Sequence, residues 1–339
     1  MIKIGINGFG RIGRAAFKVA LDKHADEVDI VAINDLTDAK TLAHLLKYDS
    51  VYGVYQKEIS SDPNHLIISG KKQLILAEKD PTLLPWKDLN IDVVIESTGR
   101  FTSLESATSH LKAGAKKVVI SAPSDDTPTN IIGVNSYSGE NVINNGSCTT
   151  NCVGPVTAVI HSHFKILKAF MTTVHAYTAE QDLVDGPPPP LHADLRRARA
   201  AAINIVPTTT GAARAVAKAL PEVEGKFDGA AIRVPVACGS VSDFTFLVGK
   251  RTSVEEVNGA FKKATENPPP AGGYKGILAV TTDPIVSTDI IGRSESAIVD
   301  LLSTKVVDDD LVRVLAWYDN EFGYANRLIE QVINVGTQN

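Results

Sequence analysis

The segment Gly8-Phe9-Gly10-Arg11-Ile12-Gly13 most restricts what this chain can fold into. It lies between a β-branched apolar run, Ile2–Ile6, and a stretch in which Ile12, Ala16, Val19 and Ala20 share one helical face. At a strand-to-helix junction the three glycines serve a tight turn, close backbone approach to a pyrophosphate, and close helix–strand packing. Free N–H groups at the positive end of the helix then receive the phosphates. Such a unit belongs in a parallel, doubly wound sheet. The rest of the first half fits, with strand candidates Val28–Ile33, Gln73–Ala77, Val93–Glu96, Lys117–Ser121 and Val142–Asn144, and helical patterns at Asp38–Tyr48 and Ser103–Ala113. Asp35 follows the second strand, where a carboxylate accepts from ribose hydroxyls and repels a 2′-phosphate; NAD is therefore expected over NADP.

From about residue 150 longer strand candidates appear, at Lys168–Val174, Gly229–Pro235, Asp243–Val248 and Val312–Tyr318, with helices at Gly211–Leu220 and Ser253–Thr265. This half is expected to be an α+β domain with a mostly antiparallel sheet. A long irregular segment, 178–205, holds Pro187-Pro188-Pro189-Pro190, and a loop of that length is usually functional or part of an interface. A last helix, Asn320–Val335, carries Leu328, Ile329, Val332 and Ile333 on one side.

The 339 residues suit about two domains. No apolar run reaches the ~18 residues of a membrane span, and the opening residues read as a strand of the fold, not a secretory signal. Three cysteines cannot build a disulfide framework, which points to a reducing, cytoplasmic setting. A net charge of −5 supplies no field for nucleic acid, so a phosphate-bearing ligand must be held by local groups.

Ser147-Cys148-Thr149-Thr150-Asn151-Cys152 opens a helical run. At a helix N-terminus the dipole favours a thiolate at Cys148, a strong nucleophile toward an aldehyde. Cys152 lies one turn on and reads as a packing residue, as does Cys238; no cysteine–histidine cluster completes a metal site, so no metal is expected. His175 ends a strand and is placed to act as base toward Cys148. Arg196-Arg197-Ala198-Arg199, Arg233 and Thr208-Thr209-Thr210-Gly211, the last before a helix, are groupings suited to anions.

Together these residues resemble the phosphorylating glyceraldehyde-3-phosphate dehydrogenase family. The resemblance spans the chain and rests on INGFGRIGR (6–14), ESTGRFT (96–102), AGAKKVVISAPS (113–124), SCTTNC (147–152), TTVHAYT (172–178), DLRRARAAAINIVPTTTGAARAV (194–216), AIRVP (231–235) and WYDNEFGYANR (317–327). It implies a Rossmann-type NAD-binding domain of 1–147 and 320–339, to which the C-terminal helix returns, and a catalytic domain of 148–319. It also implies oxidation of D-glyceraldehyde 3-phosphate with NAD and inorganic phosphate to 1,3-bisphosphoglycerate, through a Cys148 thiohemiacetal and thioester with His175 as base. Ser147, Thr149, Thr210 and Gly211 would hold the attacking phosphate, and Thr178, Arg197 and Arg233 the substrate phosphate. Asn7, Gly8, Gly10, Arg11, Ile12, Asp35, Ser97 and Ser121 would line the dinucleotide, with Asn320 and Tyr324 orienting its nicotinamide. A cytoplasmic homotetramer is expected. Glu180 stands where the family often has aspartate, Gly146 where alanine is usual, and Phe322 where tryptophan is usual. Other readings are an erythrose-4-phosphate dehydrogenase, which would not need phosphate, or a non-catalytic NAD-binding module.

Overall fold

From Ile4 to Asn7 the first strand is buried without alternation, the pattern of a strand covered on both faces. In the computed structural model, which describes residues 1–188, 194–269 and 273–338, the chain divides into two compact units. Unit 1 comprises Met1–Asn130, Ser136–Ser147 and Ala325–Asn339; unit 2 comprises Ile131–Asn135 and Cys148–Tyr324. Pro189 and Pro190 of the proline run lie outside the described residues.

The strands of unit 1 are β1 (Ile2–Asn7), β2 (Val28–Asn34), β3 (Tyr48–Asp49), β4 (Gly53–Val54), β5 (Ile59–Asp62), β6 (His65–Ile68), β7 (Lys71–Leu76), β8 (Val93–Glu96), β9 (Lys117–Ile120) and β10 (Val142–Asn144). All but the short β3–β4 ribbon join one sheet in the order β10-β9-β8-β1-β2-β7-β6-β5. The pairs from β10 to β7 are parallel, while β5 and β6 extend the edge as an antiparallel hairpin. That hairpin escapes a sequence reading because Ser60, Ser61 and Asp62 break the apolar alternation. Its turn is held instead by the Asp62 carboxylate, which accepts from the Asn64 amide at 3.0 Å. Helices α1 (Arg11–Lys23), α2 (Ala39–Lys47) and α3 (Leu104–Lys112) follow β1, β2 and β8. Asp38 and Ser103 cap α2 and α3, each side chain accepting an orphan N–H of the first turn.

Unit 2 contains β11 (Ile166–Ala176), β12 (Val206–Thr209), β13 (Phe227–Val234), β14 (Ser240–Val248), β15 (Leu278–Thr281), β16 (Ala297–Asp300), β17 (Lys305–Val307) and β18 (Leu311–Tyr318). The order is β12-β13-β11-β14-β18-β16-β15, with β17 on β18; only β11–β13 and β15–β16 are parallel. The sheet is thus mostly antiparallel, as the second half of the sequence implies. β12, not foreseen in the sequence, contains Pro207; it pairs with β13 alone, and an edge is where a residue without an N–H is tolerated. Helix α4 (Cys148–Phe164) is central to this unit, burying Cys152, Val153, Val156, Val159 and Ile160 in a core with Phe244, Phe246 and Phe261. Helices α5 (Ala212–Ala219) and α6 (Val254–Ala264) complete the cover.

The last helix, α7 (Phe322–Thr337), begins where Asp319 accepts the amides of Glu321 and Phe322. The break between units falls within it, at Ala325, whereas the sequence boundary lies at Asn320. Its later turns belong to unit 1, where Lys117 donates to the Val335 carbonyl at 3.0 Å.

Candidate active site

The loop after β1 has the geometry its glycines require. Gly8 adopts φ +96°, and a Cβ there would lie 2.7 Å from the Ser97 carbonyl carbon and the Thr98 nitrogen. A Cβ on Gly13 would lie 2.2 Å from the Gly8 carbonyl oxygen, so α1 can approach the loop only without a side chain. Gly10, by contrast, faces open space: nothing lies within 4 Å of where its Cβ would be, and as N-cap of α1 it makes no side-chain cap. An anion therefore has room at the positive end of α1. Asp35 reaches the same loop, its carboxylate accepting from Phe9 N at 2.8 Å and Thr37 N at 2.9 Å. The Ser97 hydroxyl donates to the Gly8 carbonyl at 2.7 Å, and Ser121 N donates to the Glu96 carbonyl at 2.9 Å. Ile12 is half-buried in the first turn of α1. Two expected cofactor residues use their side chains elsewhere. Arg11 pairs with Asp49 at 2.8 Å, and the Asn7 amide points inward to Glu96 at 2.6 Å. A bound dinucleotide fits these residues.

In unit 2, Cys148 is the first residue of α4, and its Sγ lies 3.3 Å from His175 Nε2. His175 sits inside β11, not beyond its end, and the parallel register pairs it with Arg233 on β13. Its Nδ1 is 2.6 Å from the Ala176 carbonyl oxygen and 2.7 Å from Arg233 Nη1, which itself donates to that oxygen at 2.9 Å. The tautomer with its proton on Nδ1, donated to Ala176, is the one that presents a lone pair on Nε2 to the thiol. Burial, reinforced by the charge of Arg233, pushes His175 down to about 3, so the imidazole is neutral and able to accept a proton. Burial also pushes the Cys148 thiol up, against the pull of Arg233. Desolvation thus works against the resting thiolate expected from the helix start, while Arg233 and the Thr149 hydroxyl work for it. The Tyr318 ring packs edge-on to His175 at 5.9 Å, and its hydroxyl bridges Thr149 at 3.0 Å and Thr173 at 2.7 Å.

Arg197, buried at the short helical turn Leu195–Ala198, donates to Thr208 at 2.9 Å and to Glu180 at 3.1 Å. Arg233 Nη2 lies 3.5 Å from the same Glu180 oxygen. Glu180 is thus shared by two guanidinium groups. Burial opposes its ionisation, yet the Thr178 hydroxyl and the two arginines hold its carboxyl below the usual range. The Thr210 hydroxyl accepts from Ala212 N at 3.2 Å, and Gly211 is the N-cap of α5. The structure therefore gathers Cys148, Thr149, His175, Arg197 and Arg233 around one sheet, whereas Ser147 is the last residue of its segment in unit 1. Asn320 is buried, its Oδ1 accepting from Gly239 N at 3.1 Å and Ser240 Oγ at 3.0 Å; Tyr324 is buried at the start of α7. Sequence reasoning missed Tyr318 and the Ala176 carbonyl, since a backbone oxygen carries no residue signature. Cys152 and Cys238 are buried thiols, and Cys238 Sγ donates to Asp319 Oδ1 at 3.3 Å. Among the described residues no group of three or more His, Cys, Asp or Glu side chains could hold a metal.

The chain matches the family model for the NAD binding domain of glyceraldehyde 3-phosphate dehydrogenase over residues 2–104 and that for its C-terminal domain over 147–320. It is 51% identical to glyceraldehyde-3-phosphate dehydrogenase 1 of Bacillus cereus over 335 residues, 97% of each chain. Against the Geobacillus stearothermophilus enzyme the identity is 51%, with 97% of this chain and 96% of the relative covered, and against that of Borreliella burgdorferi it is 50%, with 97% and 98% covered. The chain belongs to the glyceraldehyde-3-phosphate dehydrogenase family. As a member of the glyceraldehyde-3-phosphate dehydrogenase family it is an NAD-dependent oxidoreductase, and the NAD-binding match takes in the whole glycine loop and Asp35. That loop is also a stability determinant. Gly13→Ala is expected to cost about 1–3 kcal/mol through overpacking against Gly8, read as a lowered calorimetric unfolding midpoint.

Proposed function

We propose that the chain oxidises D-glyceraldehyde 3-phosphate with NAD and inorganic phosphate to 1,3-bisphosphoglycerate. The observation that carries this reading is the Cys148–His175 pair, 3.3 Å apart, with Arg233 Nη1 2.7 Å from the same imidazole and joined through Glu180 to Arg197. The thiol attacks the aldehyde carbon as His175 takes its proton, and return of that proton to the oxygen gives a thiohemiacetal. His175 then accepts the hydroxyl proton as the carbon is oxidised to a thioester. NAD, when bound, supplies the acceptor for the hydride released in that step. A phosphate oxygen displaces the sulfur, forming the acyl phosphate and regenerating Cys148. Sulfur suits this sequence because a thioester retains the oxidation energy that an oxygen ester would dissipate.

Arg197, Arg233 and Thr178 are the groups for the substrate phosphate, and Ser147, Thr149, Thr210 and Gly211 for the attacking one. Asn320 has its oxygen occupied, which leaves its amide N–H groups for the nicotinamide carboxamide. NAD is held by Gly8, Gly10, Arg11, Ile12, Asp35, Ser97 and Ser121, with Asn7 setting the start of the loop, in a domain of 1–147 and 320–339, and the catalytic domain is 148–319. A homotetramer is supported by Leu183, Val184, Leu195, Ile203 and Ile205, all more than 70% exposed in a single chain on the 178–205 loop. Three free cysteines support a cytoplasmic setting, and no described helix is long and apolar enough to cross a membrane.

Initial rates of NADH formation test the reading. Turnover is expected with NAD, glyceraldehyde 3-phosphate and inorganic phosphate together, and to collapse when any one is omitted. Phosphate-independent turnover of erythrose 4-phosphate would reassign the enzyme.

A further inference from the structure

Beneath the glycine loop of unit 1 lies a buried polar chain that neither the cradle nor the catalytic pair uses directly. We propose that Glu96, set by His110 and Trp86, is a positioning residue for the dinucleotide, acting through Asn7. The inference rests on the reading of the β1 loop as the NAD cradle.

The indole N–H of Trp86 points at His110 Nδ1 at 3.0 Å. An indole nitrogen can only donate, so Nδ1 accepts and the imidazole proton resides on Nε2. Nε2 donates to Glu96 Oε2 at 3.0 Å, and Asn7 Nδ2 donates to the same oxygen at 2.6 Å. The other oxygen, Oε1, accepts from Thr98 N at 2.8 Å and Thr98 Oγ1 at 2.5 Å. Four donors thus converge on one carboxylate, an arrangement an amide cannot satisfy. Asn7 is held at its other end too, its Oδ1 accepting from Asn34 Nδ2 at 2.7 Å, while Asn34 Oδ1 accepts from Glu78 N at 2.8 Å.

These bonds join the carboxyl ends of β1, β2 and β8, the ends from which Gly8, Asp35 and Ser97 emerge. With both ends of its amide engaged, Asn7 cannot turn its side chain to a ligand. Its backbone is fixed instead: Asn7 O accepts from Ser97 N at 2.8 Å, and Gly8 N donates to Asn34 O at 2.8 Å. Trp86, Glu96, His110 and Asn7 are each at most 1% exposed, so Glu96 itself cannot reach a bound cofactor. A buried carboxylate is costly even when fully bonded, and apolar side chains would pack this space at less cost. What the carboxylate supplies that they cannot is a fixed orientation of Asn7 directly before the phosphate loop.

The test measures NAD binding by calorimetry and the kinetic constants of the full-length protein. Glu96→Gln places an amide N–H2, itself a donor, among donors that converged on the carboxylate, and NAD affinity is expected to weaken about ten- to a hundredfold. KM for NAD should rise with it, while KM for the aldehyde and the rate at saturating NAD hold. His110→Gln can still accept from Trp86 and donate to Glu96, and is expected to bind NAD within about threefold of wild type. His110→Leu, similar in size but without either bond, should lose affinity as Glu96→Gln does. Circular dichroism establishes folding; should Glu96→Gln not fold, the two His110 variants decide. Unchanged NAD affinity in Glu96→Gln, or equal losses in His110→Gln and His110→Leu, would overturn the proposal. Failure of the wild-type protein to bind NAD would instead overturn the reading of the cradle.

Discussion

Cys148→Ser is expected to lower the rate of NADH formation about 10⁴-fold or more, with NAD affinity unchanged. The sulfur has two separate functions. It must lose a proton to a neutral imidazole 3.3 Å away, and a serine hydroxyl is far less acidic than a thiol. It must also leave readily when phosphate attacks, which an alkoxide does not. The substitution changes one atom at the first residue of α4, where the partly buried site has room for oxygen, so the fold is expected to persist. NAD binding, carried by the β1 loop, serves as the internal control, because a folding defect would lower it and a chemical defect would not. Residual activity above about one per cent of wild type would show that Cys148 is not the nucleophile.

Arg233→Leu is expected to lower kcat/KM for glyceraldehyde 3-phosphate about a hundredfold or more, and for unphosphorylated glyceraldehyde far less. The guanidinium has two functions, and the substitution separates them. As a cation beside Arg197 it is the group we propose for the substrate phosphate, which is the part the unphosphorylated aldehyde does not need. As a neighbour of His175 Nδ1 at 2.7 Å it disfavours the imidazolium, after burial the largest cause of the depressed pKa. The sign follows directly. Removing a positive charge raises the His175 pKa above its present value of about 3, so protonation disables the base at a higher pH. The acid limb of the kcat/KM profile should therefore move to higher pH in Arg233→Leu. An unmoved acid limb, or equal losses for both aldehydes, would sink this account of Arg233.

Much of the fold was legible before the structure. The β1–loop–α1 unit is short, and each residue's requirement is local: apolar runs, glycines where a Cβ collides, a carboxylate after β2. The same holds for Cys148 at the start of α4, since a helix start is written in its own few residues. Legibility fails where local signals are weak or contradictory. The β5–β6 hairpin is too polar to announce itself, and β12 carries a proline that argues against a strand until its edge position is known. The balance at Cys148 is hidden for a related reason: the helix start that favours a thiolate is visible in the sequence, whereas the desolvation that opposes it is not.

The sequence alone determined the class of each half, the cofactor motif and the placing of Cys148 at a helix start, because those depend on patterns within about one or two turns of chain. Tertiary structure alone decided which groups meet. The β11–β13 register places Arg233 against His175 across 58 positions, and folding brings Asn7 to Glu96 across 89. Glu180 is drawn between two arginines from separate segments, and Trp86 orders His110 in the interior. Such contacts arise from strand register and from the cost of leaving buried polar groups unpaired, and both come into force only when distant segments pack.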